Sequence, residues 1–263
     1  MYLKQSDLKE KLDYHYKAFD KTQLEPDPLQ FPHMFKDEKD IEVMAFIASV
    51  FAYGNVKQIN NSLNRFLLIS NSQPFSFIKN FEISGKSTST INFIHRFYTS
   101  KDILQLFQLL KIGYNEYGSM KNLFLSGYNS SDENVKNAIT NFSKYFLDKA
   151  NQEFDSASRG LAFMFPLPEK GSACKRMNLF LRWMVRKDEL DFGLWTEIPA
   201  SKLIIPVDTH IARICRKFKL TKSQNVSWKM AEEITGNLKQ FDPDDPVKYD
   251  FAICHIGMRK MEF

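Results

Sequence analysis

Apolar residues recur at helical spacing along most of this chain, and this periodicity strongly restricts the folds that it can adopt. Over residues 40–52 the recurring positions form one stripe: Ile41, Met44, Ala45 and Ala48. A second stripe, within residues 173–188, follows the i, i+3, i+4, i+7 pattern of an amphipathic helix: Met177, Phe180, Leu181 and Met184. Only KLIIPV, residues 202–207, has strand character, and Pro206 makes it a poor central strand. We therefore predict an all-α protein of roughly ten helices joined by short loops.

Two aspartates are placed to begin helices of this kind. Asp40 precedes the first apolar stripe, and Asp102 precedes the helical segment ILQLFQLLKIGY. Aspartate side chains accept hydrogen bonds from the free N–H groups of a first helical turn. We therefore predict that both residues are N-caps.

The composition excludes several classes of protein. The three cysteines lie about forty residues apart: Cys174, Cys215 and Cys254. This spacing excludes a disulfide scaffold, a CxxC zinc site and a four-cysteine iron–sulfur cluster. No apolar run approaches the ~18 residues of a membrane span, and the N-terminal segment is too charged for a signal peptide. We expect a cytoplasmic protein, in a reducing compartment.

Positive charge is concentrated in one part of the chain. The net charge is +5, but residues 170–222 hold twelve Lys and Arg against five Asp and Glu, a local balance of +7. The remaining 210 residues therefore sum to −2. Charge of one sign in one segment indicates an anionic partner, with nucleic acid the leading candidate. The alternative is a solvated helical face.

Residues 157–186 read as helix, turn and helix. The helical segment GLAFMF is followed by a turn through Pro166, Pro168 and Gly171, and then by ACKRMNLFLRWMVRKD. Lys175 and Arg176 fall in the first turn of the second helix, where the macrodipole disfavours cations. Such cations, together with free backbone N–H groups of the preceding turn, are suited to an anion such as phosphate. The alternative is two surface cations in a frayed turn.

This second helix also has a polar face. It carries residues on the side opposite the apolar stripe: Lys175, Asn178, Arg182 and Arg186.

A second basic helix follows at about residues 204–220. Asp208 or Thr209 is placed to cap it, and its apolar residues face inward: Ile211, Ile214, Cys215 and Phe218. The opposite face is a basic stripe: Arg213, Arg216 and Lys217. Taken alone, Asp208 is explained as a cap contributing about 1 kcal/mol, and His210 as a surface histidine of the first turn.

Together these motifs resemble the helix–hairpin–helix DNA glycosylase superfamily, which includes endonuclease III and the 8-oxoguanine glycosylases. The resemblance covers roughly residues 155–220, and DIEVMAFIASVFAYGNVKQI resembles the early helix of that superfamily and its following turn. Lys175 and Asp208 are 33 positions apart, a long separation that is similar to that of the archaeal 8-oxoguanine glycosylase type. The strings SACKRMNLFLRWMVRKD and DPDDPVKYDFA also resemble a bacterial protein family related to these glycosylases. The resemblance is therefore to a bacterial branch nearest the archaeal 8-oxoguanine glycosylase type.

The resemblance implies a two-lobed all-α fold, with the whole chain forming one two-lobed domain and a cleft between the lobes. The helix–hairpin–helix would span about residues 157–186, and the catalytic aspartate turn and basic helix about residues 204–220. Lys175 matches the nucleophilic lysine of bifunctional members, and Asp208 matches their essential aspartate. Residues expected to contact DNA are the following: Asn55, Gly171, Ser172, Arg176, Arg182, His210, Arg213 and Lys217.

The function implied is excision of a damaged base from double-stranded DNA, with an oxidised purine such as 8-oxoguanine favoured. Associated β-lyase activity requires a neutral Lys175 amine, so we expect its helix terminus, the adjacent Arg176 and a partly dry cleft to lower the pKa of that amine. This requires that Asp208 does not lie so close that it holds Lys175 as an ammonium ion. Asn55 or a neighbour such as Tyr53 would fill the gap left by the everted base. Trp183 or Trp195 would stack on it, although the helical position of Trp183 favours the core. We expect a nucleoid-associated monomer.

The hairpin sequence GSACK departs from the Gly-x-Gly form of that superfamily. Ser172 and Ala173 would have to adopt a turn normally relieved by a second glycine. This leaves open both the grip on phosphate and a monovalent cation at the hairpin. No iron–sulfur cluster or other cofactor is expected.

Two readings from other classes remain open. One keeps the helix–hairpin–helix but makes it a non-catalytic DNA-binding module, in which Lys175 only contacts phosphate. The other is an all-α scaffold whose basic face binds RNA or an acidic protein.

The sequence supports a metal site less well than it supports a DNA-binding site. FDPDDP, residues 241–246, could hold Mg²⁺ through its carboxylates, but its prolines are more typical of a turn that ends in a helix cap. Asp188 and Asp191 are more typical of a solvated helix end. We therefore predict no metal site. GxGxxG, Walker and GxSxG motifs are absent, which argues against nucleotide-binding enzymes and serine hydrolases.

Overall fold

A computed structural model describes residues 5–18, 20–83 and 92–258, and the regular secondary structure of this part of the chain is helical. Its α-helices are α1 Gln5–Lys17, α2 Glu38–Phe51, α3 Val56–Ile69, α4 Pro74–Lys79, α5 Ser100–Tyr117, α6 Met120–Ser126, α7 Lys136–Phe154, α8 Arg159–Met164, α9 Lys175–Val185, α10 Thr209–Lys217, α11 Trp228–Leu238 and α12 Asp250–Met258. The described residues contain no β-strand, only two isolated bridges. The predicted all-α class is confirmed. None of the helices in these ranges is long and apolar enough to span a membrane.

The chain divides into two compact units, each built from separate stretches of sequence. The middle unit comprises Leu24–Asn129 and Lys136–Leu167. The terminal unit comprises Met1–Gln23, Ser130–Val135 and Pro168–Phe263. The boundary between Leu167 and Pro168 separates α8 from α9, so the two helices of the predicted helix–hairpin–helix belong to different units.

The core of the middle unit is built around α2. Every residue of this helix from Ile41 to Phe51 is buried, so its apolar stripe is only part of a helix that is enclosed on all sides. Aromatic rings fill the space beside it; Phe46 stacks on Phe165 with 6.2 Å between ring centroids. The one acidic residue among these buried positions, Glu42, accepts hydrogen bonds from the backbone N–H groups of Met120 and Lys121 at the start of α6.

Both predicted N-caps are displaced by one short turn. The cap of α2 is Asp37, while Asp40 accepts a hydrogen bond from the backbone N–H of Phe75 at 2.8 Å. The cap of α5 is Thr99, and Asp102 at the third helical position completes a capping box with it. The apolar pattern placed each cap directly before the first apolar residue, whereas each helix begins about three residues earlier.

The terminal unit encloses α9. The predicted apolar stripe is confirmed, because its four residues are at most 1% exposed: Met177, Phe180, Leu181 and Met184. The opposite, polar face is also buried at Asn178, Arg182 and Arg186. A buried network of arginines and aspartates makes this possible, and its members are described below.

Candidate active site

The starts of two helices bring Lys175 and Asp208 together. Lys175 is the first residue of α9, and Asp208 is the N-cap of α10. Lys175 Nζ donates a hydrogen bond to Asp208 Oδ2 at 2.7 Å, across the 33 positions that separate the two residues. About a third of each side chain is exposed, 34% for Lys175 and 36% for Asp208. The pair is therefore partly desolvated and still accessible from outside.

Asp208 divides its two carboxylate oxygens between two tasks. Oδ1 accepts hydrogen bonds from the backbone N–H groups of His210 and Ile211, both at 2.9 Å, and so caps α10. Oδ2 is left for the Lys175 ammonium. Burial raises the pKa of Asp208, but the charge and hydrogen bond of Lys175 outweigh burial and hold that pKa below its ordinary value. The carboxylate is therefore ionised at neutral pH.

The pKa of Lys175 shifts upward, opposite to the predicted direction. Burial lowers it, but the charge of Asp208 and the hydrogen bond to it raise it by more, and Asp250 adds a weaker attraction. The helix terminus and Arg176 are visible in the sequence, whereas the 2.7 Å contact with a carboxylate exists only in the folded chain. At rest the amine is an ammonium ion. Asp250 is a contributor that the sequence argument missed, although it begins a helix in the segment DPDDPVKYDFA.

In the hairpin before α9, the residues with left-handed backbone conformation are not all the ones predicted. Gly171 has φ of +82°, and the second left-handed residue is Cys174 at +47°, not Ser172 or Ala173. Gly171 is exposed, and its carbonyl accepts a hydrogen bond from the backbone N–H of Trp228. Burial raises the pKa of the Cys174 thiol to about 12, so this cysteine is no thiolate nucleophile at neutral pH.

Two of the residues predicted to contact DNA have buried side chains. Arg176 is 7% exposed and Arg182 is 3% exposed. Arg182 donates hydrogen bonds to Asp191 and Asp250 inside the terminal unit. Neither guanidinium lies at the surface where a DNA phosphate could reach it.

The outer face of α10 does present basic side chains. Arg213 and Lys217 are exposed, and His210 Nδ1 lies 3.3 Å from Arg213 Nη2. Arg216, the third member of the predicted stripe, instead donates to the backbone carbonyls of Ser223 and Gln224. Asn55 is exposed in the middle unit, where it caps α3 by accepting from the backbone N–H of Lys57.

The acidic segments considered for metal binding are partners of arginine and lysine. Arg186 makes ion pairs with Asp188, Asp191 and Asp245, and Lys248 makes one with Asp242. Asp191 is 3% exposed, so the prediction of a solvated helix end at Asp188 and Asp191 is wrong. Across residues 5–18, 20–83 and 92–258 no group of three or more His, Cys, Asp or Glu could hold a metal ion.

Neither tryptophan proposed as a base-stacking wall is open to a ligand. Trp183 is fully buried, as its helical position favoured, and Trp195 is 1% exposed. Trp195 packs edge-on against Phe180, with 5.2 Å between ring centroids. Both rings therefore belong to the core of the terminal unit.

Comparison with known proteins places the chain in a family. Residues 27–259 match the family model described as "Protein of unknown function (DUF2400)". No curated protein and no solved structure matches the chain. Because the family match covers well over half of the residues, this protein belongs to the DUF2400 family.

Proposed function

We propose that this protein is a DNA glycosylase with associated β-lyase activity, which excises a damaged base from double-stranded DNA. An oxidised purine such as 8-oxoguanine is the favoured lesion. The observation that carries the proposal is the amine of Lys175 at 2.7 Å from the carboxylate of Asp208, with a third of each side chain exposed. The pair supplies a lysine that becomes a nucleophile once it loses a proton, and a carboxylate whose negative charge stabilises positive charge on the sugar.

In the proposed fold assignment, the chain is one two-lobed glycosylase-like domain with a cleft. Residues 157–186 form its helix–hairpin–helix, and Asn55 fills the gap left by the everted base. The division of the chain into two units and the exposure of Asn55 are compatible with this assignment. Localisation with the bacterial nucleoid, and action as a monomer, follow from the same assignment.

The raised pKa of Lys175 suits a first step in which its ammonium acts as an acid. The ammonium donates a proton to the departing base, which takes the electron pair of the bond to C1′. The amine lone pair freed by that transfer then forms the Nζ–C1′ bond. The negative charge of Asp208 stabilises the positive charge that develops on the sugar.

Strand cleavage follows from the same covalent intermediate. Opening of the sugar ring moves a proton from Nζ to O4′ and leaves an iminium at C1′. Loss of a proton from C2′ then drives cleavage of the C3′–O bond, and the electron pair departs with the phosphate. Water hydrolyses the imine and returns the lysine.

On α10, the exposed Arg213 and Lys217 and the half-buried His210 would contact the DNA backbone. In the hairpin, the exposed Gly171 and the half-buried Ser172 would do the same. Contacts to phosphate give affinity without reading sequence and weaken steeply with salt. We expect charge reversal at both Arg213 and Lys217 to abolish retention on duplex DNA at low salt. Unchanged retention would favour a scaffold that uses this face for RNA or an acidic protein.

Borohydride trapping tests the proposed chemistry. The protein should form a reducible covalent adduct with duplexes that contain an abasic site or 8-oxoguanine. Lys175→Gln should abolish the adduct while leaving duplex binding intact. The matched control is Lys170→Gln, which removes an exposed cation from the same hairpin and should trap as the wild type does. Failure of the wild-type protein to trap either duplex would end the lyase proposal.

A second candidate, a non-catalytic DNA-binding module, is favoured by the upward shift in the pKa of Lys175. An amine held as an ammonium is suited to contacting phosphate. This reading predicts duplex binding without an adduct. It also predicts that Lys175→Gln lowers the slope of log affinity against log salt by about 0.9, the contribution of one phosphate contact. The glycosylase proposal predicts an unchanged slope.

A further inference from the structure

A cavity in the middle unit combines aromatic, cationic and hydrogen-bond-accepting groups. Its volume is about 1030 Å³, and all of its lining residues belong to that unit. Ligand cavities in proteins have volumes of roughly 300–1,000 Å³, so this one has room for a nucleotide and part of its neighbour. None of the residues that line it is part of the Lys175–Asp208 site.

Three aromatic rings form one wall of this cavity. Tyr53 follows α2, Phe97 precedes α5, and Phe163 lies on α8. The rings meet edge-on, with centroids 4.8 Å apart for Phe97 and Phe163 and 5.1 Å for Tyr53 and Phe163. Tyr53 is 38% exposed and Phe97 is 44% exposed, so both rings present open surface. Such rings are platforms on which any nucleobase can stack.

Two cations line the same cavity. Lys101 and Arg159 are exposed, and neither has an ion-pair partner within the part of the chain that the structure describes. A third cation, Arg96, lies over the Tyr53 ring at 5.1 Å from its centroid. Cations beside exposed aromatic rings provide attraction for phosphates next to stacked bases.

A buried acceptor completes the lining. Gln105 is 3% exposed, and its Oε1 has no hydrogen-bond partner in the described ranges. It lies one turn beyond Asp102 on α5, and both residues line the cavity. The Asp102 carboxylate is already engaged, since it accepts from the N–H and hydroxyl of Thr99 and from the hydroxyl of Ser158. An unpaired buried carbonyl oxygen is unfavourable until an N–H group or a water molecule reaches it.

We propose that this cavity binds single-stranded nucleic acid. Bases stack on Tyr53 and Phe97, phosphates contact Lys101 and Arg159, and Gln105 Oε1 accepts a hydrogen bond from an N–H of one base. A planar ring, an anionic linkage and an N–H donor occur together in a nucleotide, and a purely acidic peptide lacks the ring. The inference uses none of the chemistry of Lys175 and stands independently of the glycosylase proposal.

The test is fluorescence anisotropy with a labelled oligodeoxycytidine of about five nucleotides, within the site sizes of single-strand binders. A matched oligomer of abasic residues carries the same phosphates without bases. The variants are Phe97→Leu, Lys101→Gln and Gln105→Leu. Leu68→Ala and Lys57→Gln are the controls, because they change an exposed apolar residue and an exposed cation of the same unit outside this cavity.

Phe97→Leu should weaken oligodeoxycytidine binding by about fivefold to a hundredfold, the range for loss of one stacked base. Lys101→Gln should lower the log–log salt slope by about 0.7, the value per phosphate of a single strand. Gln105→Leu should weaken binding of oligodeoxycytidine but not of the abasic oligomer, and both controls should bind as the wild type does. Cross-links from a 5-iododeoxycytidine oligomer should map to Tyr53 or Phe97.

Equal affinity for the abasic oligomer and oligodeoxycytidine would overturn the proposal. So would unchanged binding in both Phe97→Leu and Lys101→Gln. Binding of a polyglutamate peptide as tightly as the oligonucleotide would assign the cavity to an acidic protein instead.

Discussion

The two carboxylate oxygens of Asp208 have different roles. One carboxylate oxygen caps α10, and the other holds the Lys175 ammonium at 2.7 Å. Cap chemistry and the resemblance to glycosylases both identify this residue from sequence. The protonation state of its partner could not be predicted, because that depends on a distance between residues 33 positions apart.

Substitutions at Asp208 separate its two tasks. Asparagine caps helices about as well as aspartate, so Asp208→Asn should keep α10 capped while removing the charge beside Lys175. Asp208→Ala removes both the cap and the charge. Its free energy of unfolding should therefore be about 1 kcal/mol lower than that of Asp208→Asn. Burial without a partner charge should lower the pKa of Lys175 in both variants. Urea unfolding and the pH dependence of lysine methylation measure the two effects; equal stability of the two variants would refute the cap.

The stabilising effect of this pair should depend on pH at both extremes. The pKa of Asp208 is lowered, so its contribution is present above the unfolded value of about 3.9 and is lost as pH falls through the folded value. The pKa of Lys175 is raised, so its contribution is present below about 10.4 and is lost as pH rises through the folded value.

We therefore expect the stability difference between wild type and the double variant Lys175→Gln, Asp208→Asn to be flat from about pH 5 to 9. It should shrink beyond both limits. Urea unfolding across pH measures this difference. A difference that changes steadily through neutral pH would mean that the two groups are not paired in solution.

At the scale of elements, helical periodicity predicts which residues of α9 are buried on its apolar face but not that its polar face is buried. Its apolar stripe is predictable, but its polar face is buried by partners far along the chain. Arg182 pairs with Asp250 and Arg186 with Asp245, at separations of 68 and 59 residues. A pattern within eleven residues carries no information about such partners.

Breaking this network should be costly. Asp250→Ala leaves the buried Arg182 short of one partner, and removing one member of a buried ion pair costs roughly 3–5 kcal/mol. Replacing both residues, as Arg182→Met with Asp250→Leu, should cost less than the sum of the two single changes. Arg213→Ala, at an exposed position, should change the free energy of unfolding by less than about 0.5 kcal/mol. Additive single effects in urea unfolding would contradict a coupled network.

Two glycines of the terminal unit should respond oppositely to alanine. Gly171 has φ of +82°, and an added Cβ would meet no atom within 4 Å, so Gly171→Ala should destabilise by about 1 kcal/mol through backbone strain alone. Gly236 lies inside α11 with open space around it, so Gly236→Ala should stabilise by about 0.5–1 kcal/mol. In thermal unfolding, stabilisation by Gly171→Ala would contradict the hairpin geometry, and destabilisation by Gly236→Ala would contradict the open space beside α11.

At the scale of the whole molecule, the helical class could be predicted from sequence, whereas the arrangement into units could not. The terminal unit is assembled from three separate stretches, and its short middle stretch, Ser130–Val135, has no compositional mark. The excess of positive charge in residues 170–222 was visible, but burial of Arg176 and Arg182 leaves less of it at the surface than the count indicated. Charge counts do not record which cations are enclosed.

The most direct measurement of the proposed chemistry is identification of the lysine that attacks the sugar. The protein is incubated with an abasic duplex, reduced with borohydride and digested with nuclease and protease. Mass spectrometry should then find the sugar remnant on the peptide that contains Lys175. A remnant distributed over surface lysines, or absent from every peptide, would contradict the assignment of Lys175 as the nucleophile.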